Sequence, residues 1–465
     1  MAAQTFDVVV VGAGPAGYVA AIRAAQLGFK TALVEKRKTL GGTCLNVGCI
    51  PSKALLDSSE KYHLATHGLA AHGITVGKVS VDVPAMIKRK DDVVAKMTGG
   101  VAFLMKKNKV TVINGWGKLT SATMVSVDNG AEELTAKHII LAAGSEVIEL
   151  PHLKFDGTDV LSSTEALNLT SVPKHLIVVG AGVIGLEMGS VWSRLGAKVT
   201  LVDVMDRILT VMDRDVTDEA QKIFAKQGLD FKLGAKVIGL KKDKSGLTLD
   251  IEEAGGNVTQ LTGDKVLVAV GRRPNTDKLG LADVGVKLDN RGRIEVDSHY
   301  RTNVPGVYAV GDCIQGPMLA HKAEEEGVAV AELIAGQAGH VNYNAIPWVV
   351  YTWPEIAGVG YSEDEAKQKG HEVKVGKFTF RANGRATAMG EVEGFCKIIA
   401  DATTDRLLGM HIIGANASEM IAEGAIAMEF AASAEDLARS VHAHPTLAEI
   451  MKEAALAVDK RSLHS

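Results

Sequence analysis

Two stretches of the chain repeat one pattern of apolar and polar positions: an unbroken apolar run, a glycine-rich turn, a helical segment and a second apolar run. FDVVVVGAGPAGYVAAIRAAQLGFKTALVEK covers residues 6–36, and HLIVVGAGVIGLEMGSVWSRLGAKVTLVD covers residues 175–203. An unbroken apolar run is typical of a parallel strand that is buried on both faces. The pattern therefore predicts two strand–helix–strand units of the Rossmann type.

Each turn has the spacing GxGxxG, and each unit ends in an acidic residue. The first glycine of such a turn makes the tight bend, the second lets the backbone approach a pyrophosphate, and the third lets helix and strand pack closely. A carboxylate at the end of the second strand accepts hydrogen bonds from a ribose 2′-OH. The sequence predicts two dinucleotide sites, or one site and one relic, formed by Gly12, Gly14, Gly17 and Glu35 and by Gly180, Gly182, Gly185 and Asp203.

The acidic end of the second unit favours NAD over NADP. A 2′-phosphate would be repelled by Asp203, and Asp206 adds a second negative charge that only Arg207 opposes. We therefore expect NAD at the second site, and a stronger turnover with NADPH than with NADH would contradict this expectation.

Two of the four cysteines in the 465 residues lie together, in the stretch GGTCLNVGCIPSK at residues 41–53. The other two, Cys313 and Cys396, are isolated, so the set is not the disulfide framework of a secreted protein. A structural zinc site needs about four Cys or His ligands, and no second pair of suitable spacing occurs. The clustered pair therefore favours redox chemistry over metal binding.

A bridge between Cys44 and Cys49 requires a distorted helix. Residues five apart in a regular helix are about 7.5 Å apart along the axis, and a disulfide closes only below a Cα separation of about 7 Å. Gly48 and Pro51 permit the distortion, because glycine is permissive and proline removes an N–H group. A disulfide in so short a loop would be easily reduced, which suits catalysis, and the alternative is a pair of buried thiols.

Composition excludes several classes of protein. Hydrophobic residues make up 46%, charged residues 23%, and the formal net charge is -4, so we expect no nucleic-acid partner. We expect no export signal, because the first residues lack a basic leader followed by an apolar segment and a cleavage site. The apolar tract near the C-terminus is interrupted by Glu419, Glu423 and Glu429, which indicates a packed helix and no membrane span. We expect a cytoplasmic protein, with the mature form of an organelle-matrix protein as the alternative.

Together these motifs resemble the flavoprotein disulfide reductases, the pyridine nucleotide-disulfide oxidoreductase family, over nearly the whole chain. The motif sequences are most similar to those of the family members that reoxidise dihydrolipoamide in 2-oxo acid dehydrogenase and glycine-cleavage complexes. A glutathione-reductase-like enzyme would carry basic residues near Asp203, and mercuric reductase and the larger thioredoxin reductases carry a C-terminal redox pair that the ending DKRSLHS lacks. Further family motifs are ILAAGS at 140–145, VAVGRRPNT at 268–276, TNVPGVYAVGDC at 302–313, MLAHKAEEEG at 318–327 and HAHPTLAE at 442–449.

The resemblance implies FAD at the first site, NAD at the second, and electron transfer between flavin and a dithiol through the cysteines. Cys49 would face the flavin, Cys44 would exchange with substrate, and Lys53 would lie near flavin N5 and pair with Glu187. Asp312 would bond the ribityl chain, although an Asx-turn would also explain it. The remaining cofactor residues that we expect are Gly117, Ala143, Gly144, Ser145, Met318, Leu319, Ala320 and His321 for FAD, and Val237 and Gly271 for NAD.

A dithiol oxidase needs a base, because a thiol must lose its proton before it attacks a disulfide. Among 14 histidines, His444 precedes a proline, which biases it to an extended conformation at the entry to a helix. Its match to the family motif favours His444 as base and Glu449 as the residue that orients it, with His442 as a weaker substitute. Thr446 and Glu449 also have capping-box spacing, so helix capping alone is the alternative.

The expected fold class is α/β, with two Rossmann-like dinucleotide-binding domains and a C-terminal α+β dimerisation domain. Two apolar helical segments, 417–439 and 446–459, suit an interface, and the family shares each site across a homodimer. The implied partners are lipoyl domains of acyltransferase or glycine-cleavage proteins, and the rival outside enzymology is a non-catalytic scaffold subunit. We predict an FAD domain at 1–149, an NAD domain at 150–272, an FAD-domain continuation at 273–344 and the dimerisation domain at 345–465.

Overall fold

The computed structural model describes residues 4–243 and 246–464, and the chain forms two compact units. Both units are built from segments that are not contiguous in the chain. The first unit contains Met1–Leu55, Asp82–Ile148 and Gly271–Val341. The second contains Leu56–Val81, Glu149–Val270 and Asn342–Ser465. The predicted division into four domains stays a prediction.

The first unit is built on a seven-stranded sheet. Its parallel part has the order Thr111–Asn114, Thr31–Glu35, Gln4–Val11, Glu132–Leu141, and Val307–Ala309 pairs with the last of these strands. The antiparallel strands Met124–Val127 and Gly117–Ser121 complete the sheet, and Ser145–Val147 pairs separately with Arg272–Pro274. The helices of this unit are Pro15–Gln26, Gly42–Val47, Val83–Lys107, Leu281–Val284 and Ala320–Ile334, with a 3₁₀ turn at Gly311–Cys313. Helix Cys49–His63 begins here, and its residues beyond Leu55 belong to the second unit.

The first part of the second unit holds a five-stranded parallel sheet. Its order is Leu229–Leu233, Lys198–Asp203, His175–Val179, Lys265–Val268, Val160–Leu161. A three-stranded antiparallel sheet consists of Lys236–Asp243, Gly246–Glu252 and Val258–Gly263. The helices are Ser163–Ala166, Val183–Arg194 and Arg214–Lys226, with short turns of π-helix at Leu64–Gly68 and of 3₁₀-helix at Leu69–His72.

The C-terminal part of the second unit is a five-stranded antiparallel sheet with helices. Its order is Trp348–Val350, Glu355–Gly360, Leu407–Gly414, Phe395–Asp401, Val373–Thr379. The helices are Glu363–Gln368, Gly384–Met389, Ala417–Glu429, Ala434–Arg439 and Glu449–Val458, with 3₁₀ turns at Tyr343–Ala345 and Phe380–Ala382. The α/β class with two Rossmann-like sheets and a C-terminal α+β region is confirmed.

The prediction of one continuous helical segment at residues 417–439 was wrong. Residues 417–439 form two helices, because Ser433 caps a new helix: its hydroxyl accepts from the N–H of Asp436, whose carboxylate accepts from Ser433 in return. This capping box is visible in the sequence and breaks the apolar tract. Over residues 4–243 and 246–464, no helix has both the length and the apolar character that crossing a membrane requires.

Candidate active site

The first glycine turn has the backbone that a dinucleotide needs. Gly12 lies at φ +103°, and a Cβ there would meet the carbonyl oxygen of Ala142 at 2.3 Å. A Cβ on Gly17 would meet the carbonyl oxygen of Gly12 at 1.8 Å, so helix and strand pack at a distance that only glycine allows. Gly14 is the N-cap of helix Pro15–Gln26 and has no side chain to occupy the helix end. The N–H groups at this end can bind a phosphate.

Glu35 is held at the edge of this turn. One carboxylate oxygen accepts from the N–H of Ala13 at 2.8 Å, and the other accepts from the N–H of Arg37 at 2.8 Å. Two carboxylate oxygens offer about four acceptor sites, so capacity for ribose hydroxyls remains. The turn therefore fits the adenosine half of a dinucleotide.

The second turn repeats this geometry. Gly180 lies at φ +110°, and a Cβ there would meet the carbonyl oxygen of Ala269 at 2.4 Å. A Cβ on Gly185 would meet the carbonyl oxygen of Gly180 at 2.0 Å. Gly182 is the N-cap of helix Val183–Arg194. The repeat predicted from the glycine spacing is therefore present in the backbone as well.

Asp203 is bound in the same way as Glu35. Its oxygens accept from the N–H of Ala181 at 2.6 Å and from the N–H of Met205 at 2.9 Å. The second turn therefore presents a carboxylate where an adenosine ribose would lie.

The guanidinium group of Arg207 is already hydrogen-bonded within the protein. It donates to the carbonyl of Thr210 at 2.9 Å and lies 3.4 Å from the hydroxyl of Thr217. Asp206 is exposed. The cation that could neutralise a 2′-phosphate near Asp203 is thus already hydrogen-bonded, which favours NAD.

The cysteine pair lies at a break between two helices. Helix Gly42–Val47, which carries Cys44, ends at Gly48, whose backbone has φ −140° and ψ −113°. Helix Cys49–His63 begins at the next residue. Pro51 lies in its first turn, where the missing N–H group has no helical partner to lose. The distortion that a bridge requires is therefore present at Gly48.

The cysteine-bearing helix packs directly on the first glycine turn. The N–H of Gly41 donates to the carbonyl oxygen of Ala13 at 2.8 Å. A Cβ on Gly42 would meet the Cα of Gly14 at 2.5 Å. Two consecutive glycines thus bring the redox pair against the dinucleotide turn of its own unit.

The Cys44 thiol holds its proton strongly. A hydrogen bond with Cys49 raises the pKa of Cys44 most, burial raises it further, and the charge of Glu324 adds to both, while Lys53 acts in the opposite direction. Glu324 accepts a hydrogen bond from the hydroxyl of Tyr18 at 2.9 Å. The surroundings of Cys44 therefore favour its protonated form.

Asp312 lies in a partly buried chain of hydrogen bonds on the first unit. It is part of the 3₁₀ turn Gly311–Cys313, and its carboxylate accepts from the hydroxyl of Ser145 at 2.5 Å. That same hydroxyl accepts from Nε of Arg272 at 2.8 Å, and the guanidinium also donates to the carbonyl of Ser145 at 2.7 Å. The two predicted cofactor residues are therefore in direct contact.

Met318–His321 lie where a helix begins, as the sequence predicts, since Leu319 is the N-cap of Ala320–Ile334. Inside this helix Lys322 and Glu326 form a fully buried ion pair at 2.9 Å. Glu326 accepts from the N–H of Gly311 at 2.7 Å, and Lys322 donates to the carbonyl oxygen of Gly311 at 3.1 Å. The pair thus fixes the peptide groups beside Asp312.

His444 and Glu449 form the predicted pair. Nδ1 of His444 lies 2.9 Å from one oxygen of Glu449, and the other oxygen accepts from the N–H of Thr446 at 2.8 Å. The N-cap of helix Glu449–Val458 is Ala448, so Thr446 is not the capping residue. Burial raises the pKa of Glu449, but the hydrogen bonds from Thr446 and His444 outweigh it and the net pKa is lowered.

His442 is less suited to act as a base. Its Nε2 lies 2.8 Å from a carboxylate oxygen of Glu423, and its Nδ1 lies 3.1 Å from the carbonyl oxygen of Ser440. Both ring nitrogens therefore have partners, and only 7% of the side chain is exposed, against 77% for His444.

Comparison with known proteins agrees with this geometry. Residues 6–327 match the model of the pyridine nucleotide-disulphide oxidoreductases, and residues 346–455 match the dimerisation domain of that family. The chain belongs to the pyridine nucleotide-disulphide oxidoreductase family. It binds the cofactors of that family, FAD and NAD.

Relatives match over almost their whole length. Dihydrolipoyl dehydrogenase from Cupriavidus necator is 54% identical, covering 99% of both chains. The mitochondrial dihydrolipoyl dehydrogenase from Pisum sativum is 52% identical over 98% of this chain and 92% of its own. Among solved structures, LpdA from Mycobacterium tuberculosis has a TM-score of 0.88 at 27% identity, covering 97% of this chain and 99% of its own.

The remaining residues predicted for FAD fit an oxidoreductase of this family to different degrees. Gly117 is the buried first residue of its strand. Gly144 lies at φ +72°, its carbonyl accepts from the N–H of Asn275 at 2.9 Å, and the amide of Asn275 reaches the carbonyl of Ala143 at 3.3 Å. These contacts hold the loop beside Ser145, and the role of each residue toward FAD stays a prediction.

The residues predicted to line the NAD site have fewer contacts with one another. Val237 is buried in a strand of the three-stranded sheet. Gly271 belongs to the first unit, where its carbonyl accepts from the N–H of Ile148 at 3.1 Å. Glu187 accepts from the N–H of Tyr351 at 3.0 Å within the second unit. The pairing of Glu187 with Lys53 stays a prediction.

Three polar residues near the site of this oxidoreductase were not singled out from the sequence: Arg272, Lys322 and Glu326. Each lies inside a family motif, VAVGRRPNT or MLAHKAEEEG. Spacing within MLAHKAEEEG offers a signal, because Lys and Glu four residues apart share one helix face. Their complete burial, which makes the pair important, cannot be read from a motif.

Proposed function

We propose that this chain oxidises dihydrolipoamide carried by lipoyl domains to lipoamide, and reduces NAD, through the Cys44–Cys49 pair and FAD. The observation that carries the proposal is the 54% identity with a dihydrolipoyl dehydrogenase over 99% of the chain. The redox pair on the first glycine turn and the His444–Glu449 pair supply the chemistry that this activity needs. The cytoplasm or an organelle matrix is the location that we propose.

The cysteines exchange electrons with the substrate in two steps. A substrate thiolate attacks Cys44 in the oxidised pair, so that the Cys44–Cys49 bond breaks and Cys49 leaves as a thiolate. The second substrate thiolate then attacks its neighbour in the mixed disulfide, closing the lipoamide ring and releasing Cys44. Two electrons thus pass to the pair, and both thiol protons leave the substrate, one to His444 and the other to the released Cys44 thiolate. FAD, when bound, supplies the chemistry that carries these electrons to NAD.

His444 accepts one of these protons at Nε2. Because Glu449 stays ionised, it accepts a hydrogen bond from Nδ1–H and leaves the lone pair on Nε2. The side chain of His444 is 77% exposed in the single chain, so Nε2 is open to a substrate. Glu449 thereby orients the base and also binds the N–H of Thr446, with a different oxygen for each task.

We propose a homodimer in which each His444 serves the cysteine pair of the other subunit. The match to the dimerisation domain at residues 346–455 supports it. So do large apolar side chains exposed in that region: Ile426 at 60%, Phe430 at 81% and Val441 at 94%. Exposed apolar groups of this size favour burial against another surface. A fully active monomer, verified by sedimentation under assay conditions, would contradict the shared site.

An anaerobic assay of the purified yellow protein tests the activity. Dihydrolipoamide, reduced glutathione and reduced thioredoxin are each offered with NAD and with NADP. We expect rapid NADH formation only when dihydrolipoamide is combined with NAD. Turnover restricted to glutathione would overturn the proposal in favour of a glutathione-reductase-like enzyme. Absence of NADH in a protein with bound FAD would favour the scaffold subunit.

Substitution of the base tests the mechanism. His444→Gln should lower kcat with dihydrolipoamide about 100-fold or more, since general base catalysis contributes about 10²–10⁴-fold. NADH oxidation by ferricyanide, which needs no thiol deprotonation, should persist. His442→Gln is the matched control, two residues away, and should keep most of the dihydrolipoamide activity. An equal loss in both variants would contradict the role of His444.

A further inference from the structure

A buried lysine in the C-terminal sheet is surrounded by carboxylates. Lys397 lies on strand Phe395–Asp401, and only 2% of its side chain is exposed. Its ammonium group lies 3.1 Å from both oxygens of Asp213, 3.2 Å from Asp215 and 2.8 Å from Glu363. Neither the glycine motifs nor the family motifs account for this cluster.

Asp213 is the last residue of the loop that follows Asp203. The residues 204–213, here called the ribose loop, connect the acid of the second glycine turn to helix Arg214–Lys226. Asp213 is the N-cap of this helix and is 1% exposed. The ribose loop therefore has one end at the dinucleotide acid and the other end on Lys397.

The middle of the ribose loop touches the glycine turn. The N–H of Leu209 donates to the carbonyl oxygen of Ala181 at 3.2 Å, and the backbone of Leu209 is left-handed, with φ +48°. A left-handed conformation is unfavourable for a residue other than glycine, so it persists only where the surroundings enforce it. Near the start of the loop, the carbonyl of Met205 accepts from the N–H of Gly234 at 2.7 Å.

The attachment at Asp213 is strong for an electrostatic reason. A charge without a partner in the protein interior is costly, and removing one member of a buried pair leaves the other uncompensated. Asp213 therefore cannot move far from Lys397 without losing its charged partner in the protein interior. Since Asp213 also accepts from the N–H groups of Asp215 and Glu363, its carboxylate fixes three backbone segments at one point.

We propose that Lys397 is a positioning residue for NAD. By holding Asp213, it keeps the ribose loop in its strained path against Ala181, so that Asp203 stays set for the adenosine ribose. The ammonium group acts through Asp213 and the loop. This inference rests on the proposed assignment of NAD to residues 175–203.

Two variants test the role of Lys397. Asp213→Asn keeps a capping side chain but removes one of the three carboxylates around the ammonium group, the one that lies on the ribose loop. Lys397→Met combined with Asp213→Asn removes the pair, while Glu363 keeps its ion pair with Lys367 and Asp215 keeps its ion pair with Lys377. Lys374→Met is the matched control, because it removes an ion pair to Asp459 in the same sheet at a residue that does not contact the ribose loop.

We expect both test variants to raise KM for NAD and Kd for NADH about tenfold, with kcat at saturating NAD within about twofold. Anaerobic reduction of the flavin by dihydrolipoamide without NAD should be unchanged, as should every constant of Lys374→Met. Unchanged KM and Kd in the folded Asp213→Asn protein would overturn the proposal. So would equal losses in flavin reduction and NAD binding, which would indicate a general structural role. NADH binding, followed by fluorescence, needs no dithiol, so its result is independent of the proposed substrate.

Discussion

The two glycine turns are alike in hydrogen bonding and different in their surroundings. In each, the residue after the first glycine, Ala13 or Ala181, donates its N–H to the acid that ends the second strand, Glu35 or Asp203. In each, a third glycine lies too close to the first for any side chain. The local sequence therefore forms the same structure twice: a glycine turn with the acid that binds it, here called a cradle. The difference in function must come from what packs against each cradle.

Burial distinguishes the two cradles. Glu35 is 6% exposed, whereas Asp203 is only partly buried. The cysteine-bearing helix covers the first turn, where Gly42 packs on Gly14. A Cβ built on Gly182 meets nothing within 4 Å among the described residues. An enclosed cradle suits a cofactor that stays bound, and an open one suits a substrate that enters and leaves.

The largest effect should come from alanine at the first glycine of each turn. Gly12→Ala and Gly180→Ala both place a Cβ about 2.3–2.4 Å from a carbonyl oxygen at a positive φ. We expect Gly12→Ala to yield protein without flavin and without activity. Gly180→Ala should keep the yellow flavin and its anaerobic reduction by dihydrolipoamide, but lose NADH formation at least 100-fold. Flavin absorbance and the two assays separate these outcomes.

Gly99→Ala is the mild control, because Gly99 lies exposed in helix Val83–Lys107, has no predicted role in a dinucleotide site, and its Cβ would meet nothing within 4 Å among the described residues. It should keep the flavin and reduce NADH formation far less than Gly180→Ala. If Gly180→Ala also loses flavin, the two cradles are not independent and the comparison is wrong.

Most of the fold could be predicted from the sequence, because the signals are local. An apolar run, a glycine turn and an acid 23 residues beyond the first glycine are enough to indicate each Rossmann-like unit. The helix break at Gly48 also followed from residue types near the cysteines. The split of the C-terminal helix at Ser433 was available as a capping box, but the apolar content of the tract concealed it.

The site could be predicted only where a motif or a charge stands out. His444 and Glu449 are five residues apart, so their contact is local and was predicted. The contacts of Arg272 with Ser145 join residues 127 positions apart in the chain. The cluster around Lys397 reaches Asp213, 184 positions away. Such pairings depend on the order of strands in the folded sheet, which no single stretch of sequence encodes.

A smaller effect should come from neutralising the two acids. Both oxygens of Glu35 and of Asp203 accept hydrogen bonds from backbone N–H groups. In Glu35→Gln and Asp203→Asn, an NH₂ group replaces one of these oxygens, so one backbone N–H loses its acceptor. Leaving such a buried donor unsatisfied costs about 1–3 kcal/mol. We expect Glu35→Gln to weaken FAD retention about 10–100-fold, measured by flavin release on dilution. Asp203→Asn should raise KM for NAD about tenfold or less, since water reaches the more open site. A larger effect at Asp203 than at Glu35 would reverse the comparison.

The smallest effect should come from the residues that follow each acid. Lys36, Arg37 and Lys38 follow Glu35, whereas Val204, Met205 and Asp206 follow Asp203. Transferring the basic pattern as Val204→Lys with Asp206→Lys should raise kcat/KM for NADPH in lipoamide reduction only about threefold to tenfold. A surface charge about 8 Å from a phosphate contributes about 0.5 kcal/mol in water, and salt screens it. Asp203 remains in this variant, so NADH should still be preferred. Val204→Thr with Asp206→Asn is the control that removes the charge of Asp206 without adding lysine. If the lysine variant prefers NADPH, the net charge of the ribose loop selects the cofactor, and the carboxylate of Asp203 does not.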